Sequence, residues 1–405
     1  MKKLNMLFMT LSGEFFSSIV LIAIISYSLI AVEGLIGEYR YITHSEYILS
    51  SNSLANSDYF MSDAYSINMS EEFKDKTQQQ KEGISQLDGV KGIADTSKIP
   101  VEFRSSIVNL NFYNEYMMEA FQNILTEGRW FEHSEKSEVC VEAILSGAIF
   151  NDISVGSEID LLIPNTGTII PVKAVGKIDY PWYAPDYNTI SEDISADRFL
   201  VQANVVIIED NEHNRKLLPD GCTPKSLGLS YFVLYEDSCT PQQKQAVRDH
   251  MSRIGTYKTY DEIFDNTHKK VQKEMIDKLV TPCFLLVIST ILLISIAVMT
   301  THKKLRDHAI YYLCGCSRKK SFLYLTVGIS VPVLISVILN TIYEVMQIKK
   351  LMSGSAAYAG SIVDHYNIII GVIYCVVTIA VAMVLPFIIF KSNMPVDVYR
   401  RNHND

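Results

Sequence analysis

The sequence predicts a membrane α-helical protein: four transmembrane helices, with a large α+β extracytoplasmic domain inserted between helices 1 and 2. Three observations lead there. Four stretches are apolar and long enough to cross a bilayer, at residues 15–32, 279–299, 322–342 and 368–390, the first of them free of charge. Charge is segregated: residues 34–278 carry 38 acidic and 23 basic side chains, a net of −15, while the remainder carries 7 and 13, a net of +6. Basic residues mark alternate connections: Lys2 and Lys3, then Lys303, Lys304, Arg306, Arg318, Lys319 and Lys320, then Lys391, Arg400 and Arg401. That bias sets both termini and the 301–321 segment on the cytoplasmic side. An acidic middle without a clustered basic face excludes nucleic-acid binding.

Residues 1–36 hold the N-terminal segment and the first span. A cleaved signal peptide is the competing reading, but the apolar run is long for one and no small-x-small site stands near Ala31. Glu14 is expected near the inner interface and Glu33 near the outer one. Residues 37–278 form the outer domain with stalk helices. Residues 38–56 are expected to continue the first helix outward. Their counterpart is 261–278, where Ile263, Val271, Met275 and Leu279 recur at multiples of four, broken by Thr267. The two helices form a stalk together, or each packs on the outer domain; the short pattern leaves both open.

The ends of the outer domain look alike. Residues 59–67 read as a strand, 71–87 as a helix opened by Ser70, and 90–96 as a strand. Residues 229–235 read as a strand, followed by a helix opened by Thr240, Pro241 and Gln243 in capping-box spacing, then an extended run from Gly255 to Tyr260. Two such β-α-β units pack as one split, porter-like sandwich. The insert between them, 111–220, reads as mostly β, with alternation at 155–161 and 172–178 and a helix at 143–150. Tyr180, Trp182, Tyr183 and Tyr187 form an aromatic stretch, either a contact surface or packed periphery.

The last third reads as span 279–300, cytoplasmic segment 301–321, span 322–342, loop 343–366, span 367–390 and cytoplasmic tail 391–405. Pro282, Pro332 and Pro386 fall in or beside the spans, where they kink or end helices. The spans show no central charge, which disfavours an ion-coupled transporter.

The 301–321 segment carries the functional signal. It runs basic, then apolar on one side, then into a helix stop and a polar restart at Gly315, Cys316 and Ser317. Its Arg306-Asp307-His308-Ala309-Ile310, Leu313 and Gly315-Cys316-Ser317-Arg318 resemble the R-E-x-A-I-x-x-x-x-G-A-S-R pattern of MacB/FtsX-like ABC permeases, with Asp307 for Glu and Cys316 for Ala. The outer domain adds a second likeness to that family's periplasmic core: Gly128-Arg129-Trp130-Phe131, the Val139-Cys140-Val141 strand, Val155 to Leu161, and Pro171 to Asp179, in that order. Residues 393–400 resemble the family's D-P-[IV]-x-A-L-R ending.

The resemblance implies a permease subunit of an export or mechanotransmission system, acting on a peptide, toxin or lipid-like substrate. Its partners would be a cytoplasmic ATPase subunit, a second permease chain and membrane lipid. Lys303, Arg306, Asp307, Ala309, Ile310, Leu313, Gly315, Ser317 and Arg318 would dock the ATPase. The alternatives are an FtsX-like force-transmitting regulator of a cell-wall hydrolase and a membrane-anchored receptor without ATPase. No Walker A loop, zinc motif or nucleophile elbow occurs, so no enzymatic activity is expected of this chain; ATP and magnesium would be bound by the partner, with no cofactor here. His133 and His213 sit beside acids without ligand spacing and read as surface residues. Of seven cysteines, Cys222 and Cys239 are the nearest outer pair and the candidate disulfide.

Overall fold

A computed structural model describes residues 15–51, 53–63, 71–131, 140–164, 166–185, 193–216, 229–352 and 360–392. It divides into two units, one of the apolar helices and one of the outer domain. Four helical stretches are long and apolar enough to cross a membrane: Phe16–Ser50, Tyr260–Leu305, Lys319–Lys350 and His365–Ser392.

In the outer unit, β1 (Ser57–Ser62), α2 (Glu71–Ser85) and β2 (Val90–Ala94) form the first β-α-β unit, following helix α1 (Phe15–Ser50). The strands β3 (Thr96–Phe103) and β4 (Ser106–Tyr113) come next, then α3 (Glu115–Ala120), β5 (Glu127–Gly128), β6 (Val141–Ser146), β7 (Glu158–Ile163), β8 (Thr168–Ile178), β9 (Tyr183–Pro185), β10 (Leu200–Gln202), β11 (Val205–Glu209) and α4 (Glu212–Lys216). The second unit is β12 (Ser230–Tyr235), α5 (Pro241–Met251) and β13 (Gly255–Thr259). The two units interleave in one antiparallel sheet of order β13-β1-β12-β2, the split arrangement expected from the sequence. Helix α5 begins as its sequence dictates: Thr240 Oγ1 accepts from the Gln243 backbone, Gln243 returns the bond, and Pro241 takes the first turn. Phe60, Ile84, Val90, Ile93, Tyr231, Val233, Val247 and Met251 fill the space between this sheet and its two helices.

One carboxylate is buried in that sheet. Asp58 is 1% exposed and accepts from Arg248 at 2.7 and 2.9 Å and from the Tyr235 hydroxyl at 2.6 Å. The guanidinium fork matches the carboxylate, and the pair holds Arg248 above its ordinary range, chiefly through the Asp58 hydrogen bonds. The carboxylate beside Tyr235, with burial the larger cause, holds that phenol well up as well.

The insert closes on itself. Its sheet runs β5-β8-β6-β11-β4-β3-β7, and β7 pairs back onto β8, so six strands make a barrel with β5 added at one side. Val101, Leu110, Phe112, Val141, Leu145, Leu161, Val172 and Val206 lie in its core. Two expectations change here, and one alternative is decided. The β insert begins at Thr96, since β3 and β4 form a barrel hairpin whose tip, Arg104 and Ser105, takes positive φ angles of 50° and 61°. The helix expected at 143–150 is a strand through Ser146 followed by a single turn, Ala148–Phe150. Its apolar run reads alike for a buried strand and a buried helix, and pairing to β8 and β11 on both sides decides the matter. The described part of the aromatic stretch is packed: Trp182 is 4% exposed and Tyr183 2%, and the Tyr183 ring packs tilted against Tyr41 of α1 at 5.4 Å.

Gly128 explains its motif. Its φ of +82° suits glycine, and a Cβ there would stand 2.2 Å from the Val175 carbonyl, so β5 reaches β8 only with a hydrogen at that position. Cys222 lies outside the described residues; Cys239 is a free thiol whose Sγ is 3.7 Å from the Thr240 carbonyl. Tyr187, His133, the helix opener Ser70 and the tail motif also lie outside them.

Helix α1 runs on to Ser50, and its counterpart is α6 (Tyr260–Lys270), opened by a capping box from Thr259 and Glu262. His268 of α6 stands 3.4 Å from Glu46 of α1, and α6 also packs on the outer domain. Thr267, expected to interrupt the apolar stripe, is fully buried in it: its hydroxyl donates to the Ile263 carbonyl at 2.7 Å and accepts from the Ala196 amide at 3.0 Å. Lys270 adds an ion pair to Asp197 at 2.7 Å.

In the helical unit, a π turn (Val271–Met275) leads from α6 into α7 (Ile276–Leu313), followed by α8 (Arg318–Met352), α9 (His365–Ala382) and α10 (Val384–Ser392). Leu21, Ile25 and Leu29 of α1 meet Leu293 and Ala297 of α7 and Leu325, Ile329, Val333 and Val337 of α8, all at four-residue spacing. The fourth span is two helices rather than one. Pro386 has no amide hydrogen to give the Ala382 carbonyl, and Ala382 is where α9 ends. Glu33 lies on the Leu21-Ile25-Leu29 stripe and is 0% exposed; Glu344, expected in a loop, lies within α8 and is 4% exposed.

Removing one partner of the Asp58–Arg248 pair leaves a buried charge uncompensated. Arg248→Met is expected to destabilise the outer domain by about 3–5 kcal/mol and Arg248→Lys by less. Denaturant titration of the full chain by tryptophan fluorescence measures this selectively, because both tryptophans, Trp130 and Trp182, lie in the outer domain.

Candidate functional site

The expected docking residues lie on one helical hairpin. Lys303, Arg306, Asp307, Ala309, Ile310 and Leu313 occupy the last turns of α7, and this helix runs unbroken from Ile276, so the segment expected to dock is the end of a long apolar helix and not a separate short one. Gly315 makes the turn, and Ser317 and Arg318 open α8.

The turn is dictated locally. The Cys316 amide donates to the Tyr311 carbonyl and the Gly315 amide to the Tyr312 carbonyl, the paired bonds of a Schellman stop. That stop needs a left-handed residue, which Gly315 supplies with φ +89° and open space around it. Ser317 Oγ then accepts from the Lys320 amide at 3.4 Å, the N-cap bond of α8.

The hairpin has two faces. Thr301, His308 and Ala309 are buried, while Ile310, Tyr312 and Leu313 are 39, 44 and 55% exposed. Lys303, Lys319 and Lys320 are exposed around this apolar edge, and Lys304 pairs with Asp307 at 3.4 Å, a screened contact of little energy. The side chains of Arg306 and Arg318 are not among those described. The arrangement presents a small apolar ridge within positive charge, a shape suited to a partner's groove.

Sequence reasoning missed what pins the hairpin. The His308 Nδ1 shares a hydrogen bond with Ser321 Oγ of α8, and its ring stands edge-on to Phe390 of α10 at 5.6 Å. Phe322 of α8 packs on Phe387 and Phe390 at 5.5 and 5.6 Å. The signal was present: Ala297, Thr301, Leu305 and His308 recur at helix spacing, which carries the buried stripe of α7 as far as the histidine.

Burial holds the His308 imidazole below its ordinary value of 6.5, with Asp307 opposing and Lys304 assisting. A depressed value means the folded chain keeps His308 neutral while the unfolded chain protonates it. Its contribution is therefore present above the ordinary histidine range and lost as pH falls through that range. Thermal unfolding of the full chain followed by circular dichroism is expected to show this loss between about pH 7 and pH 5, and His308→Gln to show a smaller one, with His44, also held down by burial, contributing the same way. Gly315→Ala meets no atom, so its cost is the backbone's alone, about 1–2 kcal/mol in the same measurement.

No protein-family model matches the sequence, and no curated protein matches it. Among solved structures, the chain is similar to the periplasmic region of MacB from Actinobacillus actinomycetemcomitans, at 11% identity and TM-score 0.33, covering 53% of this chain and 92% of that one. It is also similar to the extracellular domain of the noncanonic ABC-type transporter YknZ from Gram-positive bacteria, at 12% identity and TM-score 0.31, covering 50% of this chain and 97% of that one.

Proposed function

We propose that this chain is the permease subunit of an ABC-type export or mechanotransmission system in the cell membrane, with its termini and hairpin cytoplasmic and its acidic domain outside. The observation that carries the reading is the hairpin: an exposed ridge of Ile310, Tyr312 and Leu313 among lysines, at the tip of two long apolar helices. A cytoplasmic ATPase subunit grips that ridge, binds ATP and magnesium itself, and moves the end of α7. A second permease chain completes the assembly. The outer domain acts on a peptide, toxin or lipid-like compound, and the energy enters only through the hairpin. Such coupling requires two discrete arrangements of the helices, each biased by nucleotide in the partner.

Affinity purification of the detergent-solubilised chain through a C-terminal tag, with mass spectrometry of what accompanies it, tests the reading. An ATPase is expected, and Ile310→Glu with Leu313→Glu is expected to reduce its recovery by roughly thirtyfold, the loss of about 2 kcal/mol of contact. Recovery of no ATPase with the intact chain overturns the proposal in favour of a membrane-anchored receptor. Recovery of the ATPase together with a secreted cell-wall hydrolase turns it to a force-transmitting regulator.

A further inference from the structure

Four polar side chains meet inside the helical unit, away from the hairpin. Asn340 Nδ2 of α8 donates to both carboxyl oxygens of Glu33 at 2.9 and 2.8 Å, and Asn367 Nδ2 of α9 donates to Glu344 Oε2 at 3.3 Å. The two carboxyls are near enough to act on each other. All four residues are buried: Glu33 is 0% exposed, Asn340 and Asn367 are 1%, and Glu344 is 4%. Gly371 of α9 makes room, since a Cβ there would stand 3.3 Å from Glu33 Oε1.

Two further facts define what the cluster needs. Among the described residues, no lysine, arginine or histidine acts on either carboxyl from α1, α7, α8 or α9; the groups that face them are Asn340, Asn367 and each other. The Oδ1 atoms of Asn340 and Asn367 are buried without any hydrogen-bond partner. Two ionised carboxylates side by side in an apolar interior repel strongly, and a hydrogen bond between two carboxyls exists only when one carries the proton. The unpartnered Oδ1 atoms of the same two amides are buried acceptors, each able to take a hydrogen bond from a donor such as water.

We propose that Glu33, Glu344, Asn340 and Asn367 form an exchangeable proton-binding site within the membrane helices. In the loaded form one carboxyl donates its O–H to the other carboxylate, and the pair carries a single negative charge. Asn340 and Asn367 hold the two groups in register. Unloading passes the proton to water at the amide oxygens and leaves two carboxylates, a form that α1, α8 and α9 must move apart to accommodate. This site stands independently of the ATPase reading.

The test uses the full chain in liposomes and dicyclohexylcarbodiimide, a membrane-soluble reagent that modifies protonated carboxyls. Peptide mapping is expected to find the label on Glu33 or Glu344, and the labelling to decline as pH rises and to be unchanged when sodium or potassium replaces choline. Label absent from Glu33→Gln/Glu344→Gln locates it. Infrared difference spectra between acid and alkaline buffer are expected to show a protonated-carboxyl band in the natural chain that the double variant lacks. Protection by sodium or potassium at fixed pH overturns the proposal in favour of a metal cation. Labelling independent of pH, or spectra identical in the two proteins, overturns it as well.

Discussion

The cost of burying a carboxylate shapes both units of this protein. A charge removed from water must find an opposite charge, a set of hydrogen bonds or a proton. In the outer domain Asp58 finds Arg248 and Tyr235, and the pairing ties β1 to β12 and α5, the parts of two β-α-β units separated in sequence by the whole barrel. In the helical unit Glu33 and Glu344 find only amides and each other. The same constraint, met by a cation in one place and not in the other, makes one carboxylate a fixed strut and the other two a site of exchange.

The hairpin shows how few residues a turn between long helices requires. Four positions, Cys314 to Ser317, stop one helix and start the next, and backbone bonds with one N-cap satisfy most of the amides and carbonyls set free there. His308 and Ser321 then join the arms below the turn. Ile310, Tyr312 and Leu313 are left exposed beyond that clamp.

Much of this was legible in the sequence because it is local. Thr240, Pro241 and Gln243 announce α5; Gly315 and Ser317 announce the turn; the apolar runs announce the long helices. What was not legible depends on distant partners. Residues 143–146 are a strand only because β8 and β11 flank them, and the barrel closes through a contact between Glu102 and Leu162 that no local pattern encodes. Glu33 read as an interface residue by its place near the end of an apolar run, and its spacing from Leu29 also placed it on the inward stripe. The amides that receive it sit on two other helices. Pro386 was recognised as a breaker, and the missing hydrogen bond to Ala382 gives the position of the break.

Closure of the barrel has a consequence for how the outer domain meets other molecules. An extended peptide is commonly captured by adding itself as a strand to an open sheet edge, and a closed ring of strands offers none. With β7 joined to β8, recognition on the closed ring has to run through side chains and connecting turns, while the open strand edges among the described residues lie at β13 and β2 of the four-stranded sheet, at the short β5 and at the β9–β10 pair.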